Sequence, residues 1–248
     1  MSDSVDLVIR NATIVDGTGK PGFNGDVTVA GERIAGVGKA VGRAARTVDG
    51  TGLVACPGFV DMHSHADFTV LVRPLAENLV LQGITTFLGG NCGVCPAPVG
   101  EPDSQVRQWG APKVPFSWRT FGEWLDTVER EGIGINYAPL AGHNTIRAAV
   151  MGEDHKRYAT PAEIEAMRAH VDEAMRAGAF GLSTFFDPSP GEYASPDEVV
   201  ELLRVAKRYG GLYVPHTRHT QSQWPTSDPQ EASYGVYHGP PEDVWVGT

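Results

Sequence analysis

From Val5 to Val54, short apolar runs (Leu7 to Ile9, Thr13 to Val15, Val27 to Ala30, Ile34 to Val37) are separated by breakers such as Asp16-Gly17-Thr18-Gly19, Gly31-Glu32 and Asp49-Gly50-Thr51-Gly52. Runs of this length between turn residues predict the short strands of a small sheet, and no segment here keeps a helical period. After Pro57-Gly58 the texture changes to apolar strands alternating with helical segments, which predicts βα units and a parallel sheet. Strands are predicted at Phe59 to Met62, Thr85 to Leu88, Ile135 to Leu140, Phe180 to Ser183 and Leu212 to Val214. Thr160-Pro161-Ala162-Glu163 combines a capping Thr, a first-turn proline and a reciprocal Glu, so a helix is expected from there to Gly178. Ser195-Pro196-Asp197-Glu198 repeats the device before a helix over Val199 to Tyr209, with Gly210 as terminator.

The organisation expected is therefore a β module over residues 1–57 and a β/α unit over residues 58–248. Two strand-to-helix connections are long and irregular, Gly89 to Trp118 and Asp187 to Ala194. In a β/α barrel such loops belong on the active-site face. A complete barrel has eight strands and this pattern supplies about five, so the chain is expected to be a fragment of a longer sequence or to be completed by a second chain. The tail from Arg218 to Thr248 has no clear periodicity.

Composition narrows the partners. With 248 residues, 41% of them hydrophobic, the chain can bury a sizeable core in one large or two smaller units. Twenty Lys and Arg against thirty Asp and Glu give a formal charge of −10, which argues against nucleic acid and anionic membrane surfaces as partners. No stretch approaches the roughly 20 apolar residues of a membrane span, and Met1 to Asp6 lacks the regions of a secretory signal. The compartment expected is the cytoplasm. Cys56, Cys92 and Cys95 are too few for a disulfide framework and leave ligation, redox chemistry or plain core packing as their roles.

Three strand ends carry candidate chemistry. In Gly58-Phe59-Val60-Asp61-Met62-His63-Ser64-His65, residues i and i+2 of a strand would share a face, so both imidazoles could reach one cation, with Asp61 and Asp67 as possible supporting carboxylates. Leu88-Gly89-Gly90-Asn91-Cys92-Gly93-Val94-Cys95 follows the second strand. Its glycines allow sharp bends, and a thiolate is a strong zinc ligand. A redox pair or half of a structural zinc site remains the other reading of Cys92-x-x-Cys95. Cys92 ranks above Cys95 as a ligand, and Cys56 is expected in the core. Gly211-Leu212-Tyr213-Val214-Pro215-His216-Thr217-Arg218 is again an apolar strand ending in His. Gly142-His143-Asn144-Thr145 and Gly181-Leu182-Ser183-Thr184 follow further strands and could offer donors to an anionic substrate or serve as caps and turns. His155 and His170 are expected on exposed helix faces, and no role is assigned to them or to His219 and His238.

With these stretches in view, the chain resembles the D-aminoacylase (N-acyl-D-amino-acid deacylase) branch of the metal-dependent amidohydrolase superfamily. Val8 to Gly17 resembles the opening strands of the small β-sandwich of these enzymes, and Pro57 to His65 their first metal motif. Gly90-Asn91-Cys92-Gly93 resembles the branch-specific segment in which a cysteine replaces a carboxylated lysine, and His216 aligns with the ligand of the fifth strand. The resemblance implies an incomplete TIM-like barrel after part of a β-sandwich, with zinc as cofactor. It implies Cys92 and His216 as zinc ligands, and His63 and His65 beside them as a second site. His143, Asn144, Ser183 and Arg218 are implied to line the pocket for a small N-acylated amino acid, which water hydrolyses to a carboxylate and a D-amino acid. The next histidine ligand and the catalytic aspartate are implied to lie beyond Thr248. Phe185-Phe186-Asp187-Pro188 departs from the smaller stretch expected there. A cyclic-amide hydrolase of the dihydropyrimidinase or hydantoinase type is the alternative, but it requires a lysine that Phe180 to Thr184 lacks. A non-catalytic truncated product is the other.

Overall fold

A computed structural model describes residues 4–40, 43–100, 117–186 and 190–216. The chain divides into two compact units, Met1–Phe59 and Val60–Thr248.

The first unit is a five-stranded sheet of β1 (Ser4–Ile14), β2 (Phe23–Ala30), β3 (Arg33–Gly38), β4 (Arg43–Asp49) and β5 (Val54–Ala55), ordered β3-β2-β1-β4 with β5 also paired to β1. The two runs expected at Leu7 to Ile9 and Thr13 to Val15 are one strand. Asn11 takes a positive φ of 59°, and the β1–β2 register shifts between Ile9 and Ala12. The extra residue is a bulge: Asn tolerates the left-handed region, and the Asn11 N–H is paired 2.9 Å away by the Asp26 carboxylate instead of the ladder. Strand β4 had no prediction because RAARTVD has little apolar alternation. It is held by backbone pairing in parallel to β1, which side-chain pattern does not report.

The second unit is a curled parallel half-barrel in the order β10-β9-β8-β7-β6, which is the order of the chain. Its strands are β6 (Phe59–Asp61), β7 (Ile84–Gly89), β8 (Asn136–Gly142), β9 (Gly181–Phe185) and β10 (Leu212–His216). Its helices are α1 (Glu77–Val80), α2 (Phe121–Glu131), α3 (His143–Met151), α4 (Pro161–Ala177) and α5 (Pro196–Arg208). Phe87, Leu140 and Leu182 of the sheet are buried, together with Trp124 of α2, Met167 and Val171 of α4 and Leu202 of α5. A parallel sheet with helices packed on it buries its strands almost continuously, as the run of buried residues in Leu140 to Gly142 and Gly181 to Thr184 shows.

Helix α4 begins as expected. Thr160 accepts from the Glu163 N–H, Glu163 returns a bond to the Thr160 N–H, and Pro161 opens the first turn. Thr160→Ala removes one half of this box and is expected to cost about 1 kcal/mol, read as a shift in urea midpoint with unchanged slope. The same device at Thr120 and Glu123 starts α2, a helix the sequence pattern did not mark. At α5 only half of the box exists: Ser195 accepts from the Glu198 N–H, but the Glu198 side chain turns into the core. Among the described residues no helix is long and apolar enough to cross a membrane.

Candidate metal centre

The His-x-His pair does not lie on a strand. Strand β6 stops at Asp61, whose carboxylate accepts the His63 N–H at 3.1 Å and turns the chain out of extended geometry. The next residue is tied back to the sheet by Ser64 N–H donating to Leu88 at 3.1 Å. The two imidazoles still converge, edge to face with centroids 5.7 Å apart, but the turn brings them together and not the strand period. Burial, and then the charge of His63, hold His65 below the usual histidine range, so it favours the neutral form that can donate a lone pair.

Cys92 reaches them from the loop after β7. Three of the four residues Gly90 to Gly93 have positive φ: Gly90 at 78°, Cys92 at 52° and Gly93 at 67°. A side chain at Gly90 would collide with the Leu140 backbone as well as strain φ, so glycine is required there. Cys92 has no such exemption, and its left-handed conformation persists because the surroundings hold it. The Gly90 N–H donates to the buried Asp67 carboxylate at 2.9 Å, the Asn91 side chain donates to Leu88 at 2.7 Å, and Thr145 N–H donates to the Gly93 carbonyl at 3.1 Å. Burial pushes the Asp67 carboxyl up to about 7, against the pull of the Gly90 N–H.

The result is a compact donor group. One ligand atom from each of His63, His65 and Cys92 lies within 4.8 Å of the others. Cys92 Sγ is 3.3 Å from His63 Nε2 and 3.7 Å from His216 Nδ1. His216 ends β10, in register with Phe185 of β9, and the two rings stack at 4.0 Å. So the structure brings the other three sequence-predicted ligands, His63, His65 and His216, close to Cys92.

The other cysteines separate cleanly. Cys95 is buried, donates to the Ala97 carbonyl at 2.8 Å and accepts the Gly142 N–H at 3.1 Å. Burial pushes its thiol up to about 12, the signature of an inert core residue. Cys56, expected in the core, is exposed, and all three thiols are free. His155 and His170, expected on exposed helix faces, are both half-buried.

Of the residues expected to line a pocket, His143 Nε2 and the Ser183 hydroxyl have protein partners, while His143 Nδ1 and the Asn144 side-chain oxygen are buried without a hydrogen-bond partner among the described residues. His143 and Ser183 are fully buried and Asn144 is 1% exposed. His143 Nε2 lies 2.8 Å from Glu198. Asn144 packs its side-chain oxygen against the backbone of Gly93 and Gly191. Ser183 accepts the Gly93 N–H at 3.1 Å and donates to the Gly90 carbonyl. Arg218 lies outside the described residues, as do Asp187 and Pro188.

Sequence reading missed the charge cluster beneath this face. Arg147 and Glu198 are both fully buried. The guanidinium pairs with Glu198 and donates to the carbonyls of Pro190 (3.0 Å), His155 (3.1 Å), Tyr193 (3.3 Å) and Arg157. Burial raises the Glu198 pKa, but the hydrogen bond and charge of His143, with those of Arg147, outweigh it and hold the carboxyl below the usual range. The available signal was the four-residue spacing of His143 and Arg147, which puts both on one face of α3.

The profile of the amidohydrolase family matches residues 46–219. The chain is 40% identical over 219 residues to an N-acyl-D-aspartate deacylase of Alcaligenes xylosoxydans xylosoxydans, covering 86% of this chain and 43% of that protein. It is 38% identical over 223 residues to a D-aminoacylase of the same organism, covering 88% and 45%. A crystal structure of N-acyl-D-glutamate deacylase from Bordetella bronchiseptica, complexed with zinc and a phosphonate mimic of the tetrahedral intermediate, superposes with a TM-score of 0.81 at 33% identity. That match covers 88% of this chain and 46% of the other. The chain thus spans less than half the length of the relatives it matches, and the resemblance to the D-aminoacylase branch is borne out.

Proposed function

The chain belongs to the amidohydrolase family, and on that premise we propose that it forms the zinc-holding part of a hydrolase that cleaves the amide bond of N-acyl-D-amino acids. The observation that carries this is the convergence of His63, His65 and Cys92 to within 4.8 Å, with His216 Nδ1 3.7 Å from the Cys92 sulfur. Two imidazoles and a thiol are donors that zinc prefers, and their spacing fits ligands that each stand roughly 2.0–2.3 Å from one ion. Bound there, zinc supplies a Lewis acid for the scissile carbonyl and a more acidic water.

The residues of this chain hold and orient. His63 and His65 would offer nitrogen lone pairs, and Cys92 and His216 would complete the donor set. Asp67, Asn91 and Ser183 fix the loop that carries Cys92. None of the described residues is assigned the proton transfer to the leaving nitrogen. The substrate is a small N-acylated amino acid, and the D configuration follows from the similarity to deacylases of N-acyl-D-aspartate and N-acyl-D-glutamate. A cytoplasmic setting is part of the proposal, since Cys92 must stay a thiol to ligate.

The test is hydrolysis by the zinc-loaded chain, alone and together with the portion of a relative that it does not span, of N-acetyl-D-aspartate, N-acetyl-D-glutamate and an N-acetylated apolar D-amino acid, with the L enantiomers and a hydantoin alongside. Release of the D-amino acid is expected. Cleavage of the hydantoin alone would move the chain to the cyclic-amide reading. Bound zinc without any turnover would assign it a non-catalytic role.

A further inference from the structure

Cys92 needs an external hold because its backbone sits in a region that non-glycine residues avoid. Of the contacts around it, one side chain grips both flanks. Ser183 Oγ donates to the Gly90 carbonyl and accepts the Gly93 N–H at 3.1 Å, so a single hydroxyl closes the turn across Gly90-Asn91-Cys92-Gly93. Ser183 is itself immobile. It is fully buried in the middle of β9, paired with Gly142 of β8 and Val214 of β10.

From this geometry we infer that Ser183 is a positioning residue that aims the Cys92 thiol at His63 and His216, and is not a substrate-binding group. Strand β9 then performs two placements with residues two apart. Ser183 sets Cys92, and Phe185 stacks on His216 at 4.0 Å. Ser183 lies within the stretch where the carboxylated-lysine relatives would need their lysine, and here it acts on the metal site at one remove, through the loop. Its single O–H is spent on the Gly90 carbonyl, leaving no donor for a ligand.

The experiment compares wild type, Ser183→Ala and Ser183→Thr in two arms. In metal-free protein, alkylation by iodoacetamide is followed at each cysteine by peptide mass spectrometry. Ser183→Ala is expected to change the Cys92 rate by tenfold or more while buried Cys95 stays unreactive, and Ser183→Thr, which keeps the hydroxyl, is expected to return it toward wild type. In the second arm zinc affinity is read by chelator competition. This arm alone rests on the proposed metal site, and the alanine variant is expected to bind about 10- to 100-fold more weakly. An unchanged Cys92 rate in folded Ser183→Ala would overturn the inference, whatever zinc does. Wild type that binds no zinc would overturn the metal reading and leave the alkylation arm to decide the positioning role. If the alanine variant exposes Cys95, Ser183→Cys, of similar shape but with weaker hydrogen bonds, replaces it in both arms under the same criteria.

Discussion

Glu198→Ala is expected to cost about 3–5 kcal/mol of folding stability, the largest stability loss predicted for any side chain outside the metal centre. The fully buried guanidinium of Arg147 would lose its only described carboxylate, and His143 its partner 2.8 Å away. Neither side chain has water to turn to. The cost comes from the orphaned charge rather than from the worth of the pair itself, so Arg147→Met combined with Glu198→Leu should recover much of it. Denaturant unfolding of the two variants checks this. A loss below 1 kcal/mol for Glu198→Ala would mean the cluster is not closed to solvent. The same carboxylate gives a pH signature. Its pKa is depressed in the folded state, so its contribution is fully present above the ordinary value of 4.5 and is lost as pH falls through the lower folded value. Glu198→Gln should therefore remove a component of acid destabilisation that wild type shows below that pH.

Cys92→Ala and His63→Ala are each expected to abolish stoichiometric zinc, measured by elemental analysis after desalting, and His216→Ala to reduce it. The donor atoms are close enough to share one ion, and Cys92 is in contact with both histidines, so its removal affects every arrangement of ligands the site allows. Zinc should also stabilise wild type, by about 2.7 kcal/mol at a hundred times the dissociation constant. Chelation should erase that increment in wild type and change nothing in Cys92→Ala. Folded wild type without zinc at saturating metal would sink the assignment of His63, His65 and Cys92 as one site.

Much of the site was legible because its residues cluster at strand ends. Apolar runs ending in His63-Ser64-His65, in Gly90-Asn91-Cys92-Gly93 and in His216 announce ligands wherever a parallel sheet aligns its carboxyl ends, and the order β6 to β10 in chain sequence does align them. The strands other than β4 and β5, and the two capped helices α4 and α5, were legible for the same kind of reason. Alternation, breakers and a Ser or Thr before a proline act over a few residues, and the backbone responds to them locally.

What the sequence could not determine was the partner of each polar group. Glu198 carries the sequence mark of a helix cap, but its side chain meets His143 and Arg147, 55 and 51 residues away. Ser183 is expected at a pocket, and its hydroxyl bonds the Gly93 N–H and the Gly90 carbonyl, 90 and 93 residues away. Cys56 and Cys95 are chemically identical, and burial alone makes one exposed and the other a core thiol. Local pattern on its own therefore determined most of the second unit's strands, the two helices opened by a Ser or Thr before proline, and the candidate donor residues. Packing of β7, β9, α3 and α5 against one another decided which donors meet, because an unpaired polar group in a closed interior costs more than any local preference can offset.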